Sequence, residues 1–544
     1  MSKGGGLLRS SVIFSAMTFI SRVTGLLRDQ MYAWNFGASP AMDAFYIAFR
    51  IPNFMRRISA EGSFSMAFVP VLAEYKEQQN HAAVKELVDR VTGTLTAALL
   101  AITALVVIGA PWVMQLFAPG WDPLSEQYRL ATEMLQITFP YALFISLASL
   151  AGGILNSYEK FAIPALSPVL LNLSMIAAAV CSVPLMRPFG ANPVLALAWG
   201  VFLAGVLQLA FQLPALAKLG LLPRPRWGGA HQGVRKIMRL MVPTLFGSSV
   251  AQVNLLLNTA LASFLIVGSV SWLYLTDRLL EFPLGMFGVA IGTVILPHLS
   301  KRHAATDSDG YSKGLDWGFR LCLLIGVPAC LGLVLCAEAL IASLFQYGHL
   351  HAHDTEMIRL SLMAQSTAVP AFLLVKVLAP AFYSRQDTKT PVKSAVVSVV
   401  VNLASTVLLL AAVLYLTDAG QAALAKTGGD PREALGEISG AHACLAAAIA
   451  IAGWTNALQL AWYLRRAKVY RRQPGWGRFL RQIGVASLVL TVVVLSLLWL
   501  WQGWTAWPWW ERLIKLAVVV GAGGGAYGGA LWLQGIRLRD LRGH

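Results

Sequence analysis

Charge is scarce in this 544-residue chain: Asp, Glu, Lys and Arg make up 13% of it, against 57% apolar residues. So few charges cannot clothe a soluble surface around that much apolar side chain, which excludes an ordinary globular domain and leaves a protein that crosses a membrane many times. Cysteine is scarce too. Cys181, Cys322, Cys330, Cys336 and Cys444 lie in or beside apolar runs without a CxxC pair, which argues against a disulfide framework or a zinc site and for small buried hydrophobes. A Walker motif is missing, so direct ATP drive is not indicated. The N-terminal "MSKGGGLLRSS" leads into an apolar run with no clear A-x-A cleavage site and is expected to be a retained helix rather than a signal peptide.

What the chain does have is apolar length. Runs able to cross about 30 Å of hydrocarbon number roughly fourteen. They centre near Gly25, Phe54, Leu100, Phe144, Met175, Leu203, Leu255, Phe287, Val327, Leu373, Val401, Ile451, Val493 and Val520. The fold class is therefore an all-α polytopic membrane protein. Acids are the scarcer charge, 26 against 43 basic residues, for a formal net charge of +17. About 29 of the Lys and Arg residues fall in the tails and the loops on the terminal side and about 7 on the other, which makes both termini cytoplasmic by the positive-inside rule. That excess sits where anionic headgroups would be, so no nucleic-acid partner is needed to explain it. The tryptophan-rich "WLWQGWTAWPWW", Trp499 to Trp510, suits the opposite interface.

A faint duplication organises the spans. "ILNSYEKFAIP" and "AFYSRQDTKTP" each join two spans through a polar turn and precede an Asn in an apolar run, Asn172 and Asn402, although at unequal spacing. Two six-span lobes follow, residues 1–225 and 226–472, with residues 473–544 as an appended helix pair. Duplicated transporters place their substrate between such lobes near mid-membrane.

Seven basic residues fall outside the loops: Arg22, Arg28, Arg50, Arg56, Arg57, Arg278 and Lys376, accompanied by Asp29, Asp43, Glu61, Asp277 and Glu281. Arg50 and Lys376 are equally well read as snorkelling to headgroups. Arg22 is too deep for that. At 100° per residue Arg22, Gly25 and Asp29 share one side of a helix with Arg28 a third of a turn away, so a broad polar surface should face a cavity. The second span carries Asp43, a break at Pro52, Arg56, Arg57 and Glu61, an interruption tolerated only where the freed backbone meets protein or water. In the eighth, Arg278 stands one turn from Glu281. The near parity of acids and bases keeps structural ion pairing open, whereas arginine is the side chain suited to two-pronged phosphate recognition.

The stretches "SRVTGLLRD", "DAFYIAFRIPNFMRRISAEGSFSMAFVPVLAEY", "LYLTDRLLEFPLGMFGVAIGTVILPHLS" and "YSRQDTKTP" closely resemble the MurJ (MviN) family of lipid II flippases, within the multidrug/oligosaccharidyl-lipid/polysaccharide exporter superfamily. The resemblance runs through all fourteen spans. It implies two lobes around a central cationic cavity and two further helices forming a lipid groove. It also implies an alternating-access flippase, not an enzyme, that moves undecaprenyl-diphosphate-linked peptidoglycan precursor across the bacterial inner membrane. By motif, its required charged positions fall on Arg22, Arg28, Asp29, Asp43, Arg56, Glu61 and Arg278, with Arg57, Asp277 and Glu281 in support. Lipid II and membrane lipids are the implied partners, with cell-wall synthesis proteins as further candidates. No cofactor is expected, and a membrane potential or an ion gradient would supply the drive.

Rival classes fit less well. A cationic-drug exporter would want unpaired carboxylates rather than arginines. A glycan polymerase or ligase would want paired carboxylates or a nucleophile in the outer loops, where none is found. For a structural membrane protein, intramembrane charges would be an expensive ornament. "GHLHAHD", with His349, His351, His353 and Asp354, reads as a solvated outer loop rather than a metal site. "GAGGGAYGGA", with Gly524 and Gly528, reads either as close helix packing or as a smooth wall for a lipid tail.

Overall fold

A mean hydropathy of +0.62 demands elements that satisfy their own backbone hydrogen bonds, and in hydrocarbon that means helices or a closed barrel. The computed structural model describes residues 3–58 and 64–537 and contains no strand among them. Its helices longer than nine residues begin with α1 (Lys3–Phe36), α2 (Pro40–Ile58), α3 (Phe64–Gln78), α4 (His81–Ile108), α5 (Glu126–Thr138), α6 (Tyr141–Ser157), α7 (Ala162–Val180), α8 (Leu195–Ala210) and α9 (Gln232–Ala262). They continue with α10 (Ser269–Pro283), α11 (Val289–Ala304), α12 (Ser308–Leu335), α13 (Ala352–Ser366), α14 (Val369–Tyr383), α15 (Lys389–Leu416), α16 (His442–Arg466), α17 (Trp476–Leu500) and α18 (Trp509–Leu533).

Each expected span centre lies in a helix, Phe287 in a π-turn over Leu284–Gly288 that joins α10 to α11. Pro283 brings no N–H to the ladder at that joint, and a wider turn accommodates the loss. Among the described residues nine stretches are long and apolar enough to cross a membrane, and the pair α13 and α14, bent by 42°, makes a tenth. Helices α1, α2 and α10 fall outside that number, and they carry the charged residues at issue. Helix α2 runs unbroken through Pro52 to Ile58, so the break expected at Pro52 is absent. Glu61 lies outside the described residues.

The burial pattern of α15 identifies the surrounding solvent. Ser394, Ser398, Asn402 and Thr406 form its buried stripe, while Val396, Val400, Val407 and Leu408 are exposed. Apolar residues outward and small polar residues inward is the reverse of a water-soluble helix and suits lipid. Two of the inward hydroxyls are used: Ser394 donates to Asn456 Oδ1 of α16 at 2.7 Å, and Ser398 donates to the Ser394 carbonyl at 3.1 Å.

The chain packs as two compact units, Met1–Val270 and Ser271–His544. Span counting sets the lobe boundary after residue 225, whereas packing keeps α9 with the first unit. The reason is a shared core: Val234 and Ile237 of α9 join Phe68, Leu72, Leu87 and Ile154. In the second unit α17 and α18 pack on α12 through Leu324, Phe479, Ile483, Leu490, Val519 and Leu531.

Two buried charges pin that helix pair at its ends. Asp316 of α12 accepts from the Tyr470 hydroxyl and the Trp476 indole, both at 2.7 Å, and pairs with Arg320 at 2.7 Å. Burial, and then the bond to the Asp316 carboxylate, push the Tyr470 hydroxyl well above its ordinary value, so it stays a donor. At the other end Arg512, only 8% exposed, donates to the carbonyls of Thr505, Trp507, Ala342 and Gln346.

Candidate functional site

Helix α1 is 34 residues long, so its middle lies far from either end. At 1.5 Å per residue Arg22 stands about 28 Å along it from Lys3. Its side chain is exposed and makes no hydrogen bond or ion pair among the described residues. Phe19, Val23 and Leu27 beside it are exposed as well. One turn on, the character of the helix changes: Gly25 and Arg28 are buried, and Asp29 has no exposure at all.

Arg28 and Asp29 are sequence neighbours some 100° apart on the helix. The long arginine side chain nevertheless reaches around to its neighbour: Nε and Nη2 donate to Asp29 Oδ1 at 3.0 and 2.7 Å. Nη1 donates to Asn172 Oδ1 of α7 at 3.1 Å, and the guanidinium lies 5.6 Å from the Tyr32 ring. Asn172 completes the circuit by donating to the Ser21 carbonyl at 2.9 Å and Thr24 Oγ1 at 3.0 Å. The broad polar surface expected on α1 is therefore divided. Arg28 and Asp29 are buried, with Arg28 tied to Asn172 of α7, and Arg22 alone of the three reaches the surface.

The α2 charges are placed separately. Asp43, 2% exposed, sits in the first turn of α2, where the helix dipole favours a carboxylate. Its Oδ2 accepts the Gly268 N–H at 2.7 Å, tying α2 to the turn after α9. Gly268 takes φ +94°, which a side chain would strain. Arg50 hydrogen-bonds Thr259 of α9, which replaces the snorkelling alternative with a helix-to-helix contact. Arg56 donates to Asn53 one turn back at 2.8 Å, and Arg57 beside it is half-buried.

The second unit holds the remaining candidates. Arg278 pairs with Glu281 at 3.0 Å, as their spacing predicts, and the arginine side chain keeps 26% of its exposure. Asp277 accepts from Gln365 Nε2 of α13 at 2.9 Å. Lys376 is exposed, with its stem against Gly288. His349, His351 and His353 are exposed, and Asp354 caps α13 through the His351 N–H at 2.9 Å while accepting the Trp272 indole at 2.9 Å.

The glycine stretch of α18 resolves into two faces. A Cβ at Gly523 would come within 2.7 Å of Val494 on α17, so Gly523 is the close-packing glycine. At Gly524 and Gly528 a Cβ would meet nothing within 4 Å. Close helix packing therefore does not explain those two. They leave one face of α18 smooth and open.

Sequence reasoning marked Asn172 only as a repeat landmark and missed it as the partner of Arg28. The available signal was an amide in an apolar run, which needs a buried partner. Asp316 and Arg512 are not singled out by the sequence, because each lies near the end of an apolar run, where a charge is ordinary. Chemically, the first unit offers an exposed mid-helix guanidinium beside an arginine held ready in a buried network. The second offers a paired arginine at partial exposure. A guanidinium is the kind of group that suits an anion.

The family model described as "Lipid II flippase MurJ" matches residues 32–427. The chain is 41% identical to a probable lipid II flippase MurJ of Vibrio cholerae serotype O1 over 545 residues, covering 98% of each. It is also 41% identical to the lipid II flippase MurJ of Burkholderia cenocepacia over 542 residues, 98% of this chain and 99% of that protein. A solved structure described as lipid II flippase MurJ in an inward closed conformation matches with a TM-score of 0.74 at 23% identity, over 96% of this chain and all of that one. An inward-facing MATE transporter of the MOP superfamily matches with a TM-score of 0.63 at 13% identity, over 84% of this chain and 98% of that one. At those identities both structural likenesses speak for the fold.

Proposed function

This chain belongs to the MurJ family of lipid II flippases, and from that membership we propose that it carries lipid II across the bacterial inner membrane with its intramembrane arginines on the cargo's diphosphate. It is a transporter rather than an enzyme. The observation that carries the assignment of roles is Arg22: an exposed arginine midway along a long membrane helix, with no partner among the described residues, is costly unless an anion or water meets it. Arg278, partly exposed beside Glu281, is a second contact, and Arg28 becomes one when its network opens. The fork of a guanidinium fits phosphate better than an ammonium does.

The cycle is alternating access, exposing the site to the two membrane faces in turn, with both termini cytoplasmic. No resident cofactor takes part, and the drive is a membrane potential or an ion gradient. Lipid II and the surrounding lipids are the partners, joined by proteins of cell-wall synthesis. The test is controlled depletion followed by a sidedness assay on lipid II. Accumulation on the cytoplasmic leaflet is expected, and unchanged translocation removes the assignment.

The open face of α18 gives the polyprenyl tail its path. Lipid already buries the tail's methylenes, so the groove guides more than it binds. Gly524→Gln and Gly528→Gln should slow flipping of long-chain lipid II by about tenfold, or roughly 1.4 kcal/mol of barrier, while a short-chain analogue moves nearly normally. Both positions are open, so membrane levels should hold. Equal loss for both chain lengths in a stably inserted protein would sink the groove.

A further inference from the structure

Between α12 and the start of α17 lies a cavity of about 250 Å³, apart from the charged residues of α1, α2 and α10. Its lining has two characters. Arg320 and Arg478 are basic, Leu321, Leu324, Phe479 and Ile536 are apolar, and no carboxylate lines it among the described residues. Arg320 commits Nε to Asp316 and Nη2 to the Pro474 carbonyl at 2.8 Å, which fixes its plane and leaves Nη1. Arg478, in the first turn of α17, is exposed and has no hydrogen-bond partner among the described residues. The joint that precedes α17 carries Lys468, Arg471 and Arg472, and the positive-inside rule places that joint at the cytoplasmic surface.

Charge and shape together select the occupant. A cavity of about 250 Å³ suits a group the size of a phosphate and its glycerol rather than a disaccharide-peptide headgroup. A basic rim at headgroup level above an apolar wall matches an amphiphile whose anionic head lies at the surface and whose chain runs into the bilayer. We propose that this cavity seats an anionic phospholipid of the cytoplasmic leaflet. Its phosphate rests on Arg478 and Arg320 Nη1, and the start of an acyl chain lies on Leu321, Leu324 and Ile536. Because the same arginine and the same joint hold α17 to α12, the lipid sits where it braces the base of the C-terminal helix pair.

The test uses the purified full-length chain, equilibrated in mixed phosphatidylglycerol and phosphatidylcholine, with retained lipid counted by native mass spectrometry. Phosphatidylglycerol should be retained preferentially, and Arg478→Gln should lower its retention about tenfold, the scale of one charge-assisted hydrogen bond. Arg481→Gln removes the same charge one turn on, outside the cavity lining, and should change retention less than about twofold. Leu321→Trp fills the cavity from the apolar side and should also expel the lipid. Equal losses for Arg478→Gln and Arg481→Gln would reduce the site to general surface attraction and overturn the proposal. So would unchanged retention in Arg478→Gln, or in a folded Leu321→Trp protein. Displacement of the lipid by soluble glycerophosphoglycerol as effectively as by phosphatidylglycerol would show a free-phosphate site and overturn it as well. If Leu321→Trp does not fold, the arginine pair decides the question alone.

Discussion

Arg22→Ala is expected to abolish complementation while the protein reaches normal membrane levels. The side chain is exposed and bonds to nothing among the described residues, so its removal opens no cavity and strands no partner. On the proposed role the substitution should cost one charged contact to the cargo, on the scale of about 1.5 to 3 kcal/mol, or a factor of about ten to a hundred in flipping. Arg22→Lys recovers part of that, since an ammonium keeps the charge and lacks the planar fork. Arg465→Ala and Arg471→Ala, in exposed positions shortly before α17, serve as controls and should be tolerated. The measurement is the rate of lipid II translocation per folded molecule. Normal translocation by the Arg22→Ala protein would return the residue to lipid-facing decoration.

Arg28→Ala fails differently. It leaves the Asp29 carboxylate buried without its guanidinium and removes the hydrogen bond that Asn172 accepts. Breaking a buried pair by deleting one partner costs about 3 to 5 kcal/mol, so membrane levels of the single variant should fall sharply. The double variant Arg28→Met with Asp29→Leu replaces both charges by apolar groups of similar reach and should recover the folded protein. If Arg28 serves the cargo as proposed, the double variant should still not transport. Thermal stability in detergent and translocation in vesicles separate the two effects. A double variant that is both stable and active would make the Arg28 network purely structural and leave Arg22 and Arg278 as the phosphate contacts.

These two substitutions differ because neighbours on one helix meet different surroundings. Arg22 and Asp29 share a side of α1 by helical angle, yet one is exposed and the other has no exposure. Periodicity gives the direction of a side chain, and the helix packed against that direction decides its burial. Helix α7 covers α1 around Arg28 and brings Asn172 with it, a contact between residues 144 positions apart. The same limit applies to α18: Gly523, Gly524 and Gly528 read as one small-residue stretch, and only the position of α17 separates the packed glycine from the open ones.

By itself the sequence determined the solvent, the helical class, the place of nearly every span and the Arg278–Glu281 pair. Each of these follows from composition or from contacts within one helix, where hydropathy and the 3.6-residue repeat suffice. Tertiary structure alone decided that Arg28 is locked to Asp29 and Asn172, and that Asp43 holds the Gly268 turn. It also decided that α9 packs with the first unit and that Asp316 and Arg512 pin the C-terminal pair. Apart from the Arg28–Asp29 pair itself, those are partnerships between distant segments. A buried charge announces that it needs a partner, and which partner it finds depends on how the helices pack.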